Sequence, residues 1–440
     1  MAKTEIDTID GTPSKRIYRS IIADYDLNTA ICELIDNSID VDSTRQGGPQ
    51  LKVVIDIDIE QQKITITDNA GGVKESDLKK LISPGTSSLN GSNPTIGIFG
   101  VGSKRSVVAL SQSIKFSSRY HKNKTFRVEY DDEWLKDEET WELPYFSVDP
   151  ISPSSTVIEL SNLRFHIDSN MVENLKSHLE ITYSYFIEKN KILIELNNSK
   201  ISFKKFNQWA YPSGYEPTNF IKTIILGSTG EKIKLDLVAG LTYEKGSIGG
   251  DYGVFIYCNN RLICRALKSA EVGFISGIAG MPHPKLSFAR VIVNLNGPSN
   301  CMPWESNKAG INYNHEIFQL IKKDIIEAVK RYTTLSKKLG PEYNEMIEPY
   351  KTGVINKIRL NKDENIKPSK LPSIPKGKTD LKTDLIDINK DIVNKKPWVR
   401  GLYEGVIAED IIFKQKKLVQ KNRISLIVLD STLEIAFKDY

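Results

Sequence analysis

The stretch ELIDNSID, residues 33–40, decides how the first third of this 440-residue chain is expected to fold. It belongs to a segment, from Asn28 to about Ser43, in which apolar residues recur at helical spacing. At about 100° per residue, Glu33, Asn37 and Asp40 fall within one narrow arc of that helix, away from its apolar side. The pattern predicts a helix that packs with one face and presents an acid, an amide and a second acid with the other. A solvated helix face is the simpler interpretation, and taken alone this motif favours it.

The segments after this helix predict a mixed α and β domain. Two runs, LKVVIDIDIE and KITITD, alternate apolar and polar residues around Gln61 and Gln62, which predicts a β-hairpin. Further strands are expected at SIKFSSRY, KTFRVEY and STVIELS, and further helices at ESDLKKLI, near Lys104 and from about Ser169 to Phe186. A stretch rich in glycine, serine and proline, residues 83–102, predicts a loop of about 20 residues, and a compact domain keeps so long a loop for a function such as covering a ligand. The sum predicts an α+β sandwich.

The rest of the chain predicts a second domain, a linker and a helical end. Strands are expected at KILIEL, KIKLDLVAGLTY, YGVFIYCNNRLI and ARVIVNLN, followed by a closing helix at HEIFQLIKKDIIEAVKRY. Lysine, aspartate, asparagine and proline dominate from about Lys351 to Lys396, which indicates a flexible linker. We therefore predict an α/β sandwich over residues 1–190, a second α/β domain over 191–335, a charged linker over 336–396 and a helical segment over 397–440. The last segment ends within a helical pattern, which leaves a further C-terminal domain open.

Composition narrows the location and the class of protein. No run approaches the roughly 18 apolar residues of a membrane span, and the first residues lack the apolar core of a signal peptide, so we expect a cytoplasmic protein without a membrane partner. The four cysteines form no CxxC pair, which argues against a zinc site or a disulfide framework. From Arg331 onward, 22 Lys and Arg residues stand against 15 Asp and Glu residues. This excess is compatible with nucleic-acid contact, although a solvated lysine-rich linker is its commoner cause.

Two glycine-containing motifs change the interpretation of the opening stretch. In ITDNAGGV, residues 66–73, an acid ends a strand and glycines follow, so the backbone can turn tightly and a flat ligand can approach. Asp68 could there accept a hydrogen bond from an exocyclic amine, although a plain turn explains the motif equally well. In TIGIFGVGSKRS, residues 95–106, glycines precede a helix whose N-terminal amides and dipole favour phosphate oxygens. This second motif is neither a dinucleotide fingerprint nor a Walker A sequence.

Together and in this order, ELIDNSID, DNAGGV and IGIFGVGSK resemble the ATP-binding domain shared by gyrase, the ninety-kilodalton heat-shock chaperones, histidine kinases and MutL, the GHKL superfamily. Within that superfamily they look most like the MORC branch and its prokaryotic relatives. The resemblance covers residues 20–160. It implies a GHKL (Bergerat) ATP-binding α/β sandwich, followed by a transducer-like α/β domain and a C-terminal helical segment. The cofactors it implies are ATP and Mg²⁺.

The resemblance also implies a role for each motif residue. Glu33 would be the general base that activates the attacking water, Asn37 would bind Mg²⁺, and Asp68 would contact the adenine amine. Thr156 would help to hold the adenine through its hydroxyl. The implied nucleotide-binding residues are Asn37, Asp40, Asp68, Gly72, Gly97, Phe99, Gly100, Val101, Gly102, Lys104 and Thr156, with Lys104 next to the phosphates. One departure is Ala70, where the family usually has glycine, and we expect its methyl group to weaken or reshape nucleotide binding.

A lysine in the second predicted domain is the other implied catalytic residue. The stretch MPWESNKAGIN, residues 302–312, resembles the loop with which transducer domains place a lysine on the γ-phosphate, and YCNNRLI resembles the strand before such a loop. Lys308 is therefore the expected sensor, and a surface lysine before the closing helix is the alternative. A lysine that reaches the γ-phosphate from another domain would make the domain arrangement depend on the bound nucleotide.

The resemblance implies an ATP-dependent conformational switch. Mg·ATP would order the 83–102 loop as a lid and drive formation of a homodimer, and slow hydrolysis would release it. The implied partners are DNA and a protein bound through the C-terminal segment, with defence against phage as the implied setting. The alternatives are a chaperone-like ATPase that remodels client proteins and an ATP-binding module without turnover. A sensor histidine kinase is disfavoured because no histidine occurs in the roughly 20 residues before the ATP domain, and the lack of an RxxxxH signature after Arg331 argues against a nuclease.

Overall fold

The computed structural model describes two compact units, residues 1–371 and 372–440. The residues that it describes are 14–15, 25–45, 47–85, 94–97, 100, 102–137, 140–212, 214–242, 250–339, 348–349, 355–368, 370–371, 389–415 and 418–438. Both predicted α/β domains therefore lie in the first unit.

An eight-stranded sheet and the helices on it build the first half of unit one. Its strands are β1 (Leu51–Asp58), β2 (Lys63–Asp68), β3 (Ser111–Arg119), β4 (Thr125–Asp131), β5 (Tyr145–Val148), β6 (Ser155–Leu163), β7 (Ile192–Leu196) and β8 (Ser199–Lys200). Their order across the sheet is β5-β4-β3-β6-β2-β1-β7-β8. The helices are α1 (Leu27–Ser43), α2 (Gly102–Leu110), α3 (Asp132–Lys136), α4 (Ser169–Thr182) and α5 (Ser184–Glu188).

Helix α1 is stabilised by a cap at its N-terminus and by burial of its apolar face. The carboxylate of Asp26 caps the helix by accepting a hydrogen bond from the Thr29 backbone N–H at 2.7 Å. Ile31 and Ile35, one turn apart, are fully buried in the core. This packing fixes the rotation of the helix and therefore the direction in which its acidic side chains point.

The predicted hairpin after α1 is confirmed, and two helix predictions need correction. β1 and β2 pair antiparallel from Val53↔Asp68 to Asp58↔Lys63. The predicted helix at ESDLKKLI is a 3₁₀ helix, Glu75–Leu81. The helix predicted from Ser169 to Phe186 is two helices, because Tyr183 leaves the helical conformation at φ −104° and ψ 14°.

The strand KILIEL belongs to the first sheet and not to the second predicted domain. β7 pairs in parallel with β1, with Ile192 opposite Leu51. Parallel strands need a crossover connection, and α4 and α5 supply it between β6 and β7. The boundary predicted at residue 190 therefore falls before the first sheet is complete.

A six-stranded sheet builds the second half of unit one. Its strands are β10 (Thr218–Ile225), β11 (Lys232–Leu241), β12 (Gly253–Cys258), β13 (Arg261–Leu267), β14 (Ala289–Asn296) and β16 (Asn356–Arg359), in the order β13-β12-β14-β11-β10-β16. The two remaining strands, β9 (Ala210–Tyr211) and β15 (Glu348–Pro349), pair with each other. The long helix α6 (Glu316–Leu339) packs on this sheet, and 3₁₀ helices span Ala270–Val272, Pro284–Leu286 and Ser299–Cys301.

Part of the predicted linker is ordered against the second sheet. β16 pairs in parallel with β10, with Asn356 opposite Thr218. A few residues later the Ile366 backbone N–H donates to the Asp324 carboxylate of α6 at 2.8 Å. Lysine-rich composition predicted a flexible linker here, but backbone pairing does not require apolar side chains, and all four residues of β16 are exposed.

Unit two is helical, as predicted for the end of the chain. It contains α7 (Lys390–Lys395), α8 (Val399–Lys414) and α9 (Lys421–Lys438), and the Ser425 hydroxyl of α9 donates to the Glu409 carbonyl of α8 at 3.1 Å. None of the described helices combines the length and the apolar character that crossing a membrane requires. The predicted α+β fold class is confirmed, while the domain boundaries at residues 335 and 396 stay predictions.

Candidate active site

Helix α1 carries three buried acids and not a solvated polar face. Glu33 is 3% exposed, Asp36 is 0% exposed and Asp40 is 2% exposed, whereas Asn37 is only partly buried. Removing a carboxylate from water is costly unless charged or hydrogen-bonding partners surround it. The interpretation as a solvated helix face is therefore wrong, and the partners of each acid have to explain its burial.

Glu33 is held between a lysine and a glycine. The Nζ atom of Lys308 lies 2.7 Å from Glu33 Oε1. On the other side, Gly102 approaches so closely that a Cβ atom added to it would lie 1.9 Å from Glu33 Oε2. The helix expected near Lys104 thus begins at Gly102, and the missing side chain of that glycine makes room for the carboxylate. A carboxylate at a helix N-terminus that favours phosphate is well placed to act as a base on a neighbouring water.

Asp36 is a site residue that sequence reasoning missed. Its Oδ2 atom lies 3.2 Å from Lys308 Nζ and 2.9 Å from Arg261 Nε, and the Tyr183 hydroxyl lies 2.8 Å from Oδ1. Arg261 begins β13 and Tyr183 separates α4 from α5, so segments far apart in the sequence meet at this carboxylate. No spacing rule connects these positions, although Asp36 lies in ELIDNSID and Arg261 lies in YCNNRLI.

Lys308 is buried between the two carboxylates and is not a surface lysine. Burial alone would lower the pKa of its ammonium group, but the carboxylates of Glu33 and Asp36 outweigh that effect and raise the pKa. The backbone of Lys308 has φ 54°, in the left-handed region that residues other than glycine rarely adopt. Its carbonyl accepts a hydrogen bond from Arg261 Nη1 at 3.1 Å. The ammonium group therefore stays charged and its backbone is fixed.

Asp40 contacts residues 94–97, the described part of the predicted lid next to α1, which is called the lid base below. Its carboxylate accepts hydrogen bonds from the backbone N–H groups of Ile96, at 2.8 Å, and Gly97. Burial raises the pKa of Asp40 to about 7, although these two donors oppose the rise. The neighbouring Thr95 carbonyl accepts from the Asn259 side-chain amide, in the β12–β13 turn, at 2.9 Å. The lid base thus contacts both α1 and the second sheet.

Asp68 ends β2 next to α1 and β6. Its Oδ1 atom accepts from the Ala70 backbone N–H at 2.8 Å, and the Ser38 hydroxyl also hydrogen-bonds the carboxylate. In the sheet Asp68 lies directly opposite Thr156, whose hydroxyl oxygen is 3.0 Å from that of Ser118. Burial raises the pKa of Asp68 to about 6, and the hydrogen bonds from Ala70 and Ser38 oppose the rise. This carboxylate among hydroxyls can accept a hydrogen bond from a ligand amine.

Gly72 is required by the fold of its own loop. Its φ is 70°, and a Cβ atom there would lie 2.1 Å from the Arg119 carbonyl oxygen at the end of β3. Only glycine allows this approach of the two backbones. The backbone conformation alone therefore explains why glycine occupies position 72, without any contact to a nucleotide. Ala70 is 3% exposed, and its expected effect on nucleotide binding stays a prediction.

The glycine-rich motif lies only partly within the described part of the chain. Phe99 and Val101 lie outside the described residues, whereas Gly100 has φ 61° and its carbonyl accepts a hydrogen bond from the Lys104 ammonium group. Lys104 is in the first turn of α2, and burial lowers its pKa to about 8. A lysine at the start of a helix suits a phosphate, because the charge adds to the helix dipole.

We expect nucleotide affinity to fall as the pH rises through about 8, because Lys104 then loses its charge. A bound phosphate favours the charged lysine, so binding takes up a proton above this pKa and affinity falls by up to about tenfold per pH unit. Lys104→Arg should flatten the decline, since a guanidinium group stays charged. Calorimetric titration with ADP between about pH 6.5 and 9.5 measures both profiles. A wild-type affinity that stays constant over this range would contradict the role of Lys104.

Asn37 is the candidate ligand for a metal ion. Its amide oxygen lies 3.8 Å from the position that a Cβ atom would take on Gly97, so it faces the base of the lid. Within the described part of the chain, no group of three or more His, Cys, Asp or Glu side chains could hold a metal ion. Mg²⁺ at a nucleotide site needs no such group, because water and phosphate oxygens supply most of its ligands. A single amide oxygen beside the glycine-rich segment therefore fits Mg²⁺ bound together with a nucleotide.

Comparison with known proteins agrees with this geometry. Residues 25–162 match the family model described as histidine kinase-, DNA gyrase B-, and HSP90-like ATPase. The match begins just before α1 and ends within β6, so it contains Glu33 and every predicted nucleotide-binding residue but not Lys308. A comparison with curated proteins gave no match. The resemblance to the MORC branch thus stays a prediction. The match over residues 25–162 supports a domain of the GHKL type in this part of the chain.

Proposed function

We propose that unit one binds Mg·ATP and hydrolyses it slowly, with Glu33 as the general base. The observation that carries this proposal is the position of the Glu33 carboxylate, between Gly102 at the start of α2 and the Lys308 ammonium group. A nucleotide whose phosphates bind at this helix start would place its terminal phosphate beside both side chains. The family match over residues 25–162 supports ATP as the nucleotide.

The residues present can carry each part of the reaction. Water attacks the γ-phosphorus, the bond to the β–γ bridging oxygen breaks, and Glu33 takes a proton from the attacking water. Lys308 and Lys104 supply positive charge to the phosphate oxygens on which negative charge is concentrated. Mg²⁺, held by Asn37 and phosphate oxygens, would neutralise part of the same charge.

Lys308 would exchange partners during this cycle. In the structure its ammonium group lies 2.7 Å from Glu33 Oε1 and 3.2 Å from Asp36 Oδ2. A γ-phosphate offers a third anionic partner, and a lysine that turns towards it leaves the Glu33 carboxylate free to accept a proton. ADP lacks this phosphate, so the position of Lys308 would report which nucleotide is bound.

Asp68→Ala is expected to weaken ATP binding by about 10-fold to 100-fold, the usual effect of losing one hydrogen bond to a charged group. The preference for ATP over GTP should shrink as well, since guanine presents a carbonyl oxygen where adenine presents its amine. Calorimetric titration with both nucleotides measures the two effects. Asp56→Ala, which removes an exposed acid from β1, is the matched control and should leave both affinities unchanged. An unchanged ATP to GTP ratio in Asp68→Ala would show that Asp68 does not contact the base.

We further propose that ATP binding orders the 83–102 lid and brings two chains together. Dimerisation on ATP binding is common among GHKL domains. Contacts from Asp40 to the Gly97 N–H and from Asn259 to the Thr95 carbonyl support this step, because they attach the lid base to α1 and to the second sheet. A change in lid order would thereby reach both halves of unit one.

We also propose that the protein acts as a MORC-like clamp on DNA in defence against phage. A protein partner would bind its C-terminal segment. Sedimentation velocity of the wild type with ATP and with ADP tests dimer formation. Retention of a closed circular DNA in ATP, released when the DNA is cut, tests the clamp. DNA binding that weakens with salt but does not depend on the nucleotide would contradict the clamp. Suppression of client-protein aggregation without retention of DNA would favour the chaperone-like alternative.

A further inference from the structure

A buried cluster of four charges joins the two sheets of unit one. Glu33 and Asp36 come from α1, Arg261 comes from β13 and Lys308 from the loop before α6. The four side chains are between 1% and 6% exposed, and their charges cancel. Replacing such a cluster with apolar residues often leaves a protein equally stable, so stability alone is a weak reason for its presence.

Arg261 fixes Lys308 through its backbone as well as through charge. Arg261 Nη1 donates to the Lys308 carbonyl at 3.1 Å, and Arg261 Nε lies 2.9 Å from Asp36 Oδ2. Asp36 Oδ2 in turn lies 3.2 Å from Lys308 Nζ, which closes a ring of contacts. Left-handed backbone at a residue other than glycine persists only where its surroundings hold it, and at Lys308 this ring does so.

We propose that Arg261 and Asp36 are positioning residues, which hold the Lys308 ammonium group where it can pass from Glu33 to a γ-phosphate. The proposal deepens the proposed ATPase function and rests on it. Lysine has a flexible four-carbon stem, so its ammonium group reaches a defined place only if its backbone is anchored. The guanidinium fork of Arg261 provides this anchor, because it bonds the Lys308 carbonyl and the Asp36 carboxylate together.

Arg261 also limits how tightly Asp36 holds the lysine. The Asp36 carboxylate is already hydrogen-bonded by Arg261 and by the Tyr183 hydroxyl, so part of its charge is compensated. Without Arg261 the carboxylate would attract Lys308 more strongly, and a γ-phosphate would compete less well for it. Loss of Arg261 is therefore expected to reduce the preference for ATP over ADP and to slow turnover, while ADP still binds.

The test compares three full-chain variants with the wild type. Arg261→Lys keeps the charge opposite Asp36 but not the fork, so it is the variant expected to fold. Asp36→Asn/Arg261→Met removes both charges and leaves neither one unpaired. Lys222→Met is the control, because it removes a buried lysine, 3.4 Å from Asp324, that is not part of the cluster. Thermal unfolding, dissociation constants for ADP and for a non-hydrolysable ATP analogue, and kcat are measured for each protein.

In Arg261→Lys and in Asp36→Asn/Arg261→Met we expect the preference for ATP over ADP to fall about tenfold and kcat to fall about 100-fold. The affinity for ADP should stay within about twofold of the wild type. Lys222→Met should unfold at a lower temperature and keep both the preference and kcat. Folded Arg261→Lys and double-variant proteins with wild-type preference and kcat would overturn the positioning role alone. A wild type that binds neither nucleotide would overturn the proposed function, and this proposal with it.

Discussion

Glu33→Gln is expected to lower the rate of ATP hydrolysis by about 100-fold to 10,000-fold, the range that a general base contributes. The amide has the size of the carboxylate and its oxygen can still accept a hydrogen bond from Lys308, but it cannot take a proton from water. ATP affinity should therefore stay within about threefold of the wild type, since the change acts on the transition state. Phosphate release under saturating Mg·ATP and calorimetric titration with ATP measure the two quantities.

Glu60→Gln is the matched control for this change, because Glu60 is exposed in the β1–β2 turn. It should hydrolyse ATP at the wild-type rate. If Glu33→Gln also retained more than about a third of the wild-type rate, Glu33 would not be the base. An ATP-dependent dimer that persists in Glu33→Gln and dissociates in the wild type would link hydrolysis to release.

Gly102→Ala is expected to reduce turnover by about 100-fold although it adds a single methyl group. The new Cβ atom would lie 1.9 Å from Glu33 Oε2, so the carboxylate has to move by more than an ångström. Lys308 restrains that movement from the other side, at 2.7 Å from Oε1. Alanine is a better helix former than glycine, so α2 itself should not be weakened. Steady-state kinetics beside circular dichroism separates the loss of rate from any loss of fold.

Gly401→Ala is the control for the glycine change, because Gly401 lies in helix α8 and a Cβ atom there would have no neighbour within 4 Å. It should leave kcat and the unfolding temperature close to those of the wild type. Gly102→Ala with unchanged kcat would mean that the Glu33 carboxylate does not act from the position seen in the structure.

The elements and acids that the sequence predicted share a local signal. Apolar spacing marked α1, alternation marked the β1–β2 hairpin, and glycines marked the turn after Asp68 and the start of α2. Each of these signals depends on residues a few positions apart, so it can be recognised without knowledge of the fold. Glu33, Asp40 and Asp68 belong to these motifs, but the spacing did not indicate that Glu33 and Asp40 are buried.

The remaining features depend on pairing between distant segments. KILIEL reads as a strand in either domain, and only its register against β1 assigns it to the first sheet. β16 forms within a lysine-rich stretch because backbone hydrogen bonds to β10 do not depend on its side chains. Arg261 and Tyr183 meet Asp36 across more than 140 positions of sequence. Arg261 lies in the stretch YCNNRLI, but nothing in that stretch predicts its contact with Asp36.

Burial of the α1 acids is the feature that separates a site from an ordinary amphipathic helix. Charged groups removed from water destabilise a fold unless partners compensate them, so the buried Glu33, Asp36 and Asp40 require charged or hydrogen-bonding partners from other segments. Lys308 and Arg261 are the partners of the first two acids, and the N–H groups of the lid base are the partners of Asp40. The same contacts connect the lid base, Glu33 and the second sheet.

The measurement that tests the central claim most directly is phosphate release by the purified wild-type chain in Mg·ATP, with Glu33→Gln beside it and sedimentation velocity on the same samples. We predict slow release by the wild type, none above background from Glu33→Gln, and a dimer that forms in ATP and not in ADP. Absence of both nucleotide binding and phosphate release in the folded wild type would contradict the account, and the buried acids of α1 would then be a structural charge cluster without catalytic use.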